Sequence, residues 1–165
     1  MVNSSTQDLY SICKQFLQEN SYERLRQLQQ LGLGRYANFL TQMRLNETNV
    51  ICVMRFFQNP NRVKFPQLQG ADLSNLILDN VNLIRGNLSG ANLQGSSLVN
   101  ADLIFANFSG ANLNYTNLLG ATLNETIWQD ALVKQCNFGT GIGLTSTQQD
   151  DLVRRGGQFY SDEVG

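Results

Sequence analysis

The sequence predicts a mainly β fold, in which a coil of short stacked sides carries an N-terminal α-helical cap and a short C-terminal helix. Two observations predict it. The segment 61–140 divides into sixteen blocks of five residues, and the third residue of every block is apolar. The flanking segments lack this repeat and show the spacing of amphipathic helices. We therefore expect an N-terminal helical cap over 1–60, a repeat coil over 61–140, and a C-terminal helical cap and tail over 141–165.

The five-residue period explains why the chain should coil. In an extended block the first and third residues point to one side of the backbone, and the second and fourth to the other. Because five is odd, each block must turn a corner to keep the same positions inside. The fifth position supplies turn residues such as Gly70, Asn75 and Gly90. The predicted core is the stack of third residues, chiefly Leu73, Leu78, Leu83, Leu88, Leu93, Leu98, Leu103, Phe108, Leu113, Leu118, Leu123 and Trp128.

Blocks such as ANLQG, ADLIF and ANLNY, within 91–115, resemble those of the pentapeptide-repeat family. The run DLVRRGGQFY, at 151–160, looks like the C-terminal extension of many cyanobacterial members. The resemblance implies a right-handed quadrilateral β-helix with four blocks per coil, so that sixteen blocks would form about four coils. Positions twenty residues apart would then lie in one column.

Apolar residues at helical spacing predict three helices in 1–60. The apolar residues are Leu9, Ile12, Cys13, Phe16 and Leu17 in the first helix, Tyr22, Leu25 and Leu28 in the second, and Tyr36, Phe39, Leu40 and Met43 in the third. The run 46–57 predicts a fourth helix, although 50–53 is rich in β-branched residues and is also compatible with a strand. After the coil, Thr145 and Gln148 predict a capping box, and Leu152 and Val153 are expected to pack inward.

Composition and charge weigh against several classes of function. The chain has 165 residues, 12 Lys and Arg against 13 Asp and Glu, a net charge of −1 and no histidine. A nucleic-acid binder held by a basic surface is therefore disfavoured, and the commonest general base and metal ligand are missing. No apolar run is long enough for a membrane span and no signal peptide precedes the helices, so we expect a cytoplasmic protein.

The residues that most often carry chemistry do not form a site in the sequence. The carboxylates Asp72, Asp79, Asp102, Glu125 and Asp130 are spread along the repeat, and none shares a column with another. No acid–base pair, activated nucleophile or metal cluster is predicted, which indicates a non-enzymatic protein without a cofactor or a metal.

Two further features have a structural and a functional interpretation. Cys13, Cys52 and Cys136 show no CxxC spacing and are expected in the core, with a Cys13–Cys52 disulfide as the alternative. The glycine-rich run 139–143 lacks the Lys–Ser/Thr ending of a phosphate-binding loop and is expected to be a flexible exit from the coil.

One surface feature predicts a binding site. The fourth residue of each block should face outward and is usually polar, but several fourth positions are apolar. Ile84 and Ile104 share one column, Val99 and Leu119 share the column of the preceding face, and Phe105 lies at the adjoining corner. We expect these five residues to form one apolar patch, either exposed as a partner site or covered by the N-terminal helices.

The sequence therefore predicts a scaffold that acts through an unknown protein partner, as a monomer or a weak homodimer, without nucleic acid or membrane. The family resemblance adds two more specific roles. One is mimicry of duplex DNA to inhibit a type II topoisomerase, and the other is regulation of cell differentiation in cyanobacteria. Mimicry requires an acidic rod, and it is disfavoured by five acidic against four basic residues in 61–140. The coil height of about 19 Å is also too short for two helical turns of DNA. Nothing in the sequence selects or excludes the second role.

Overall fold

The structure is a computed structural model that describes residues 4–160. The repeat segment pairs with itself through isolated parallel bridges between residues twenty apart. These bridges fall into four columns, which begin at Gln67, Asp72, Ile77 and Asn82, so the coil has four sides. The prediction of a mainly β protein is confirmed only in part, because the described residues pair in single bridges rather than in extended strands.

The corners of the coil explain why the bridges stay one residue wide. From 70 to 135 the fifth residue of each block has a positive φ. Glycine adopts this conformation freely, as at Gly70, but the corners also include Arg85 at 57° and Phe105 at 60°. Because every fifth residue adopts the left-handed backbone conformation, the chain cannot stay extended long enough for a bridge to become a strand. The predicted corner in each of these blocks is confirmed.

The Asn or Asp at the second position of most blocks has a local role. The side-chain Oδ1 of Asn87 accepts hydrogen bonds from the Ser89 backbone N at 3.1 Å and from the Ser89 hydroxyl at 2.7 Å. The same contact to the residue two positions on recurs at Asn92, Asn107, Asn112 and Asn117. These bonds satisfy an outward backbone N–H that has no partner in the bridges, which explains the recurrence of short amide side chains.

The interior of the coil is a continuous apolar stack. All twelve third-position residues predicted for the core are buried, and the most exposed of them, Trp128, is only 5% exposed. Phe108 stacks on Trp128 with 4.7 Å between ring centroids, and Trp128 meets Phe138 edge-on at 5.4 Å. First-position residues such as Ala111 and Cys136 are fully buried between these columns.

The N-terminal region forms the four predicted helices, and the alternative of a strand at 50–53 is wrong. The helices are α1 (Ser4–Gln18), α2 (Ser21–Gln30), α3 (Ala37–Leu40) and α4 (Glu47–Phe57), with single 3-10 turns at Gly34–Tyr36 and Pro60–Arg62. Three residues of the predicted apolar faces, Ile12, Tyr22 and Leu25, are instead exposed. The first predicted block of the coil, 61–65, also makes no bridge to the next coil.

A buried arginine joins these helices. The guanidinium of Arg24 donates to four backbone carbonyl oxygens, at 2.6 Å from Leu17, 2.9 Å from Glu19, 3.1 Å from Leu40 and 2.8 Å from Met43. It therefore satisfies unpaired carbonyls where α1 and α3 end. Burial lowers the pKa of this guanidinium. The sequence analysis did not identify this contact.

The helices close the first edge of the coil with amide side chains. The Asp72 N donates to Asn49 Oδ1 at 2.9 Å, and Asn49 Nδ2 donates to the Asp72 carbonyl at 3.2 Å. Gln42 makes the equivalent pair with the backbone of Ile77, at 3.3 and 2.8 Å. Each amide thus replaces the backbone partner that a preceding coil would have supplied.

The C-terminal region closes the opposite edge. Helix α5 (Ser146–Arg154) begins at the predicted capping box of Thr145 and Gln148. Leu152 is buried as expected, but the expectation for Val153 is wrong, since it lies on the outer face of α5 and is 53% exposed. Beyond α5 the chain returns to the coil, where Gln158 forms a parallel bridge with Asn137.

The exit from the coil at 139–143 is packed rather than free. Gly143 has a φ of 88°, and a Cβ at this position would lie 2.7 Å from the Asn124 backbone N. The Leu123 N also donates to the Ile142 carbonyl at 2.8 Å, which continues the ladder of the coil. The glycines of this run therefore serve a close approach of two backbones.

Candidate functional site

The cysteines and carboxylates do not assemble into a reactive site in the part of the chain that the structure describes. Cys13 and Cys52 are buried free thiols, and the alternative disulfide between them is not formed. Burial raises the pKa of each thiol to about 12, and it raises the pKa of Cys136 further. All three are therefore protonated and shielded at neutral pH. Within residues 4–160, no group of three or more His, Cys, Asp or Glu could hold a metal ion.

The predicted apolar patch is divided between two adjoining sides of the coil. Val99 and Leu119 lie on one side, which we call the Val99 row, and Leu119 is 46% exposed. Ile84, Ile104 and Phe105 lie on the next side and its corner, which we call the Ile84 row. In this row Ile84 and Ile104 are half-buried and Phe105 is 45% exposed.

A carboxylate separates the two rows. Asp102 follows the corner after Val99 and precedes Ile104 on the same side. Its Oδ1 accepts hydrogen bonds from the Ile104 N at 3.4 Å and from the Thr122 hydroxyl at 2.9 Å. The five residues therefore lie in two rows on adjoining sides, and their role as one partner patch stays a prediction.

The N-terminal helices lie over the edge of the coil and not over the exposed residues of these rows. Their hydrogen bonds to the coil, within the described residues, end on Val63, Gln67, Gln69, Asp72, Ser74 and Ile77. Phe105 and Leu119 are further along the coil and open to solvent.

A cation–π stack continues the Ile84 row toward the first coil. The Arg85 guanidinium lies 4.5 Å from the ring centroid of Phe105 and 5.8 Å from that of Phe65. The three residues are twenty apart in the sequence, so the stacked coils place them in one corner column. Such contacts contribute about 0.5–1 kcal/mol at exposed sites. Sequence reasoning missed this stack, although the twenty-residue column that it stated contained the signal.

Two basic clefts meet at the foot of this stack, where Lys64 and Phe65 line both. The first has a volume of about 270 Å³ and is also lined by Arg55 and Arg62. The second has a volume of about 300 Å³ and is also lined by Arg35, together with Tyr36, Pro66, Asn82 and Ile84. None of the carboxylates within residues 4–160 lines either cleft.

The cations of the clefts have no acidic partners among residues 4–160, where the ion pairs join Arg26 to Glu23, Arg44 to Asp72, and Arg155 to Asp151. Arg35 and Arg55 donate instead to the backbone carbonyls of Val63 and Gln69. The N-terminal end of the coil therefore has a positively charged surface, although the net charge of the chain is −1. The net charge did not predict this surface, because its cations come together only when the helices dock on the coil.

These features define a repeat scaffold, a four-sided coil with helical ends and a surface of exposed apolar and basic side chains. The sequence model of pentapeptide repeats matches residues 67–103 and 101–139, with eight copies. The repeat segment of the chain matches the pentapeptide-repeat family, as the sequence predicts. This match implies the right-handed β-helix of that family.

Three solved structures give the range of similarity. A pentapeptide repeat protein from the Arabidopsis thaliana thylakoid lumen is 21% identical over 60% of this chain and 83% of its own, with a TM-score of 0.46. One from the cyanobacterium Cyanothece 51142 is 39% identical over 39% of this chain and 51% of its own, with a TM-score of 0.30. One from Nostoc PCC 7120 is 22% identical over 67% of this chain and 93% of its own, with a TM-score of 0.30.

The comparison with curated proteins gives no match. Of the helices in residues 4–160, none is both long enough and apolar enough to cross a bilayer.

Proposed function

We propose that this protein is a non-enzymatic pentapeptide-repeat scaffold that binds a partner protein through the Ile84 row. The observation that carries the proposal is the grouping of apolar side chains at outward positions that are polar in most blocks. Ile84 and Ile104 occupy fourth positions beside the 45% exposed Phe105, whereas most fourth positions are polar residues such as Ser89 and Gln94. Exposed apolar side chains that stand together on a rigid backbone are typical of interaction sites.

The backbone beneath the row supports this role. The Arg85 N donates to the Ile104 carbonyl at 2.8 Å, and the Phe105 N donates to the Asn124 carbonyl at 2.9 Å. A surface that is already ordered loses little conformational entropy when it binds, so modest apolar contacts can give useful affinity.

The absence of reactive groups on this surface favours binding over catalysis as its role. The described thiols are buried with a raised pKa, and Asp102 is engaged by Thr122 and the backbone of Ile104. Neither arrangement supplies an activated nucleophile or a general base.

The alternative of a DNA mimic gains no support from this surface. A mimic must present negative charge to a DNA-binding partner. The clefts at the N-terminal end of the coil instead present Arg35, Arg62 and Lys64.

The test compares two double variants. Ile84→Asp with Ile104→Asp places charge in the proposed site, and Leu132→Asp with Val153→Asp is the control of equal charge outside that row, where the side chains are 55% and 53% exposed. Thermal melts first establish that both variants fold. Partner capture and a sizing column then measure hetero-association and self-association.

We expect the first variant to lose association by about tenfold or more, because apolar anchors dominate interface energy and a buried unpaired charge is unfavourable. The control variant should associate like the wild type. Equal association of the two folded variants would contradict the proposal.

A further inference from the structure

The first edge of the coil is closed on two of its sides by paired amides and left open on another. Asn49 and Gln42 each pair with both the N–H and the C=O of a residue on that edge. Asn82, the bridge residue of the Ile84 side, has neither group hydrogen-bonded within residues 4–160. In the next coil, the bridge partner Asp102 has both backbone groups hydrogen-bonded. Its N donates to the Val81 carbonyl, and its carbonyl accepts from the Leu83 N.

The edge is open because the chain before it is held elsewhere. The 3-10 turn Pro60–Arg62 occupies the place of the missing rung in the sequence. The Val63 carbonyl, next along the chain, accepts hydrogen bonds from Arg35 at 2.5 Å and from the Tyr36 hydroxyl at 3.3 Å. The segment 61–65 makes no bridge with the Asn82 side, and the second basic cleft lies between them.

The chemistry around this edge combines three kinds of recognition. Asn82 offers an unpaired backbone donor and acceptor, as an edge strand does. Lys64 and Arg35 line the same cleft, where residues 4–160 contribute no carboxylate, and the Arg85 guanidinium lies 5.8 Å from the ring centroid of Phe65, which also lines it. Ile84, which also lines the cleft, connects it to the apolar Ile84 row.

We propose that the open edge at Asn82 is the docking site for an extended acidic segment of a partner protein. The segment adds a short rung by pairing its backbone with Asn82, its carboxylates lie against Lys64 and Arg35, and its apolar side chains contact the Ile84 row. The proposal rests on the proposed function, since it names the chemistry of the partner that the scaffold binds. Strand addition of this kind takes its affinity from the backbone and its specificity from the side chains.

The surface favours a peptide over a nucleic acid. A sugar–phosphate backbone has no apolar side chain to place on Ile84 and Ile104. It would also meet the Asp102 carboxylate one rung below the cations, where a peptide can place a neutral residue. The cleft of about 300 Å³ accommodates an extended segment better than a helix of 10–12 Å diameter.

The test measures fluorescence anisotropy with the full chain and a labelled eight-residue peptide in which Glu and Val alternate, at about 50 mM salt, where screening is moderate. A second peptide has the same sequence with alternate backbone nitrogens methylated, so it keeps its charge and loses donors. The comparison ligands are a Lys–Val peptide and a single-stranded oligo-dT.

Two charge-reversed proteins complete the design. Arg62→Glu with Lys64→Glu changes exposed residues of the clefts, and Lys14→Glu with Lys134→Glu makes the same change in net charge at exposed residues elsewhere. We expect the cleft variant to weaken Glu–Val binding at least about tenfold and the control variant to weaken it less than about twofold. Methylation should weaken binding to the wild type by about tenfold as well.

The proposal is overturned if the wild type does not bind the Glu–Val peptide, or if methylation leaves the affinity unchanged. It is equally overturned if both charge variants lose binding to the same degree, or if oligo-dT binds more tightly than the peptide. None of these results bears on the association test of the Ile84→Asp and Ile104→Asp variant. The scaffold role and the acidic partner can therefore fail separately.

Discussion

The two ends of the coil are closed by different means. At the N-terminal end, the helices reach the edge with the side chains of Asn49 and Gln42. At the C-terminal end, the backbone itself returns, and the Gln158 N donates to the Cys136 carbonyl while the Phe138 N donates to the Gln158 carbonyl. Arg155, the residue directly after α5, also donates to the Trp128 carbonyl there.

The difference explains why the N-terminal end is the one that carries the proposed docking site. A returning backbone copies the ladder of the coil and covers successive residues of one side. An amide side chain satisfies a single residue, so each side needs its own. The Asn82 side receives none, and its edge remains open beside the basic clefts.

The largest loss of stability is expected from a substitution in the middle of the coil, away from the contacts that close its two ends. Leu93→Asn places an unpaired amide in a fully buried column and should lower the free energy of unfolding by about 4 kcal/mol. Leu119→Asn is the control, because Leu119 is 46% exposed and its replacement should change stability by less than about 0.5 kcal/mol. Circular dichroism melts measure both, and a shift of a degree or two for Leu93→Asn would contradict the inward third position.

The next prediction compares the stability lost when each of the two amides that close the N-terminal edge, Asn49 and Gln42, is replaced. Asn49 is fully buried, so Asn49→Leu leaves the backbone of Asp72 and the Arg44 carbonyl unpaired and should destabilise by about 3 kcal/mol. Gln42→Leu should cost less than about 1 kcal/mol, since Ile77 is 68% exposed and water can replace the amide. Urea titrations give both values, and an equal loss would show that the closure does not depend on burial.

A smaller effect tests the C-terminal closure. The ring of Phe159 lies parallel to that of Phe138, with a centroid distance of 4.8 Å. Phe159→Ala should lower stability by about 2 kcal/mol, because it removes a half-buried ring from an aromatic stack. Tyr160→Ala, at a side chain 56% exposed, is the neighbouring control and should change little. If both variants melt like the wild type, the returning tail does not stabilise the coil.

The smallest effect is the pH dependence of the N-terminal closure. Burial alone would raise the pKa of Asp72, but hydrogen bonds from Ser74 and Arg44 outweigh it and hold the pKa below its ordinary value. A carboxyl with a lowered pKa in the folded state stabilises above its unfolded pKa of about 3.9, and this stability is lost as pH falls through the folded value. Urea midpoints at about pH 5 and pH 3 should therefore fall more in the wild type than in Asp72→Asn. If the urea midpoints of the wild type and of Asp72→Asn fell equally, the Asp72 carboxyl would have no role in the pH dependence of stability.

The sequence predicts the coil well because its rule is local and repeated. The five-residue period places Leu93 inside and Asn100 at a corner without knowledge of any distant contact. Four blocks of five also give the twenty-residue spacing that brings Phe65, Arg85 and Phe105 into one stack.

The ends are less predictable because their contacts depend on docking. Arg24 reads as a polar residue of an amphipathic helix, yet it is buried because three separate segments direct carbonyls at it. The same limit applies to Asn49 and to the basic clefts, whose residues come from the turn Gly34–Tyr36, from α4 and the turn after it, and from the coil. Helical spacing finds such helices but not the surfaces that they form together.

Hydrogen exchange of single backbone amides, read by NMR at neutral pH, tests most directly that the N-terminal edge is closed at Asp72 and open at Asn82. The Asp72 amide donates to buried Asn49, and the Asp102 amide donates within the ladder, so both should exchange slowly. The Asn82 amide has no partner in the described chain and should exchange within about tenfold of its unfolded rate. Protection of Asn82 equal to that of Asp72 and Asp102 would contradict an open edge on this side.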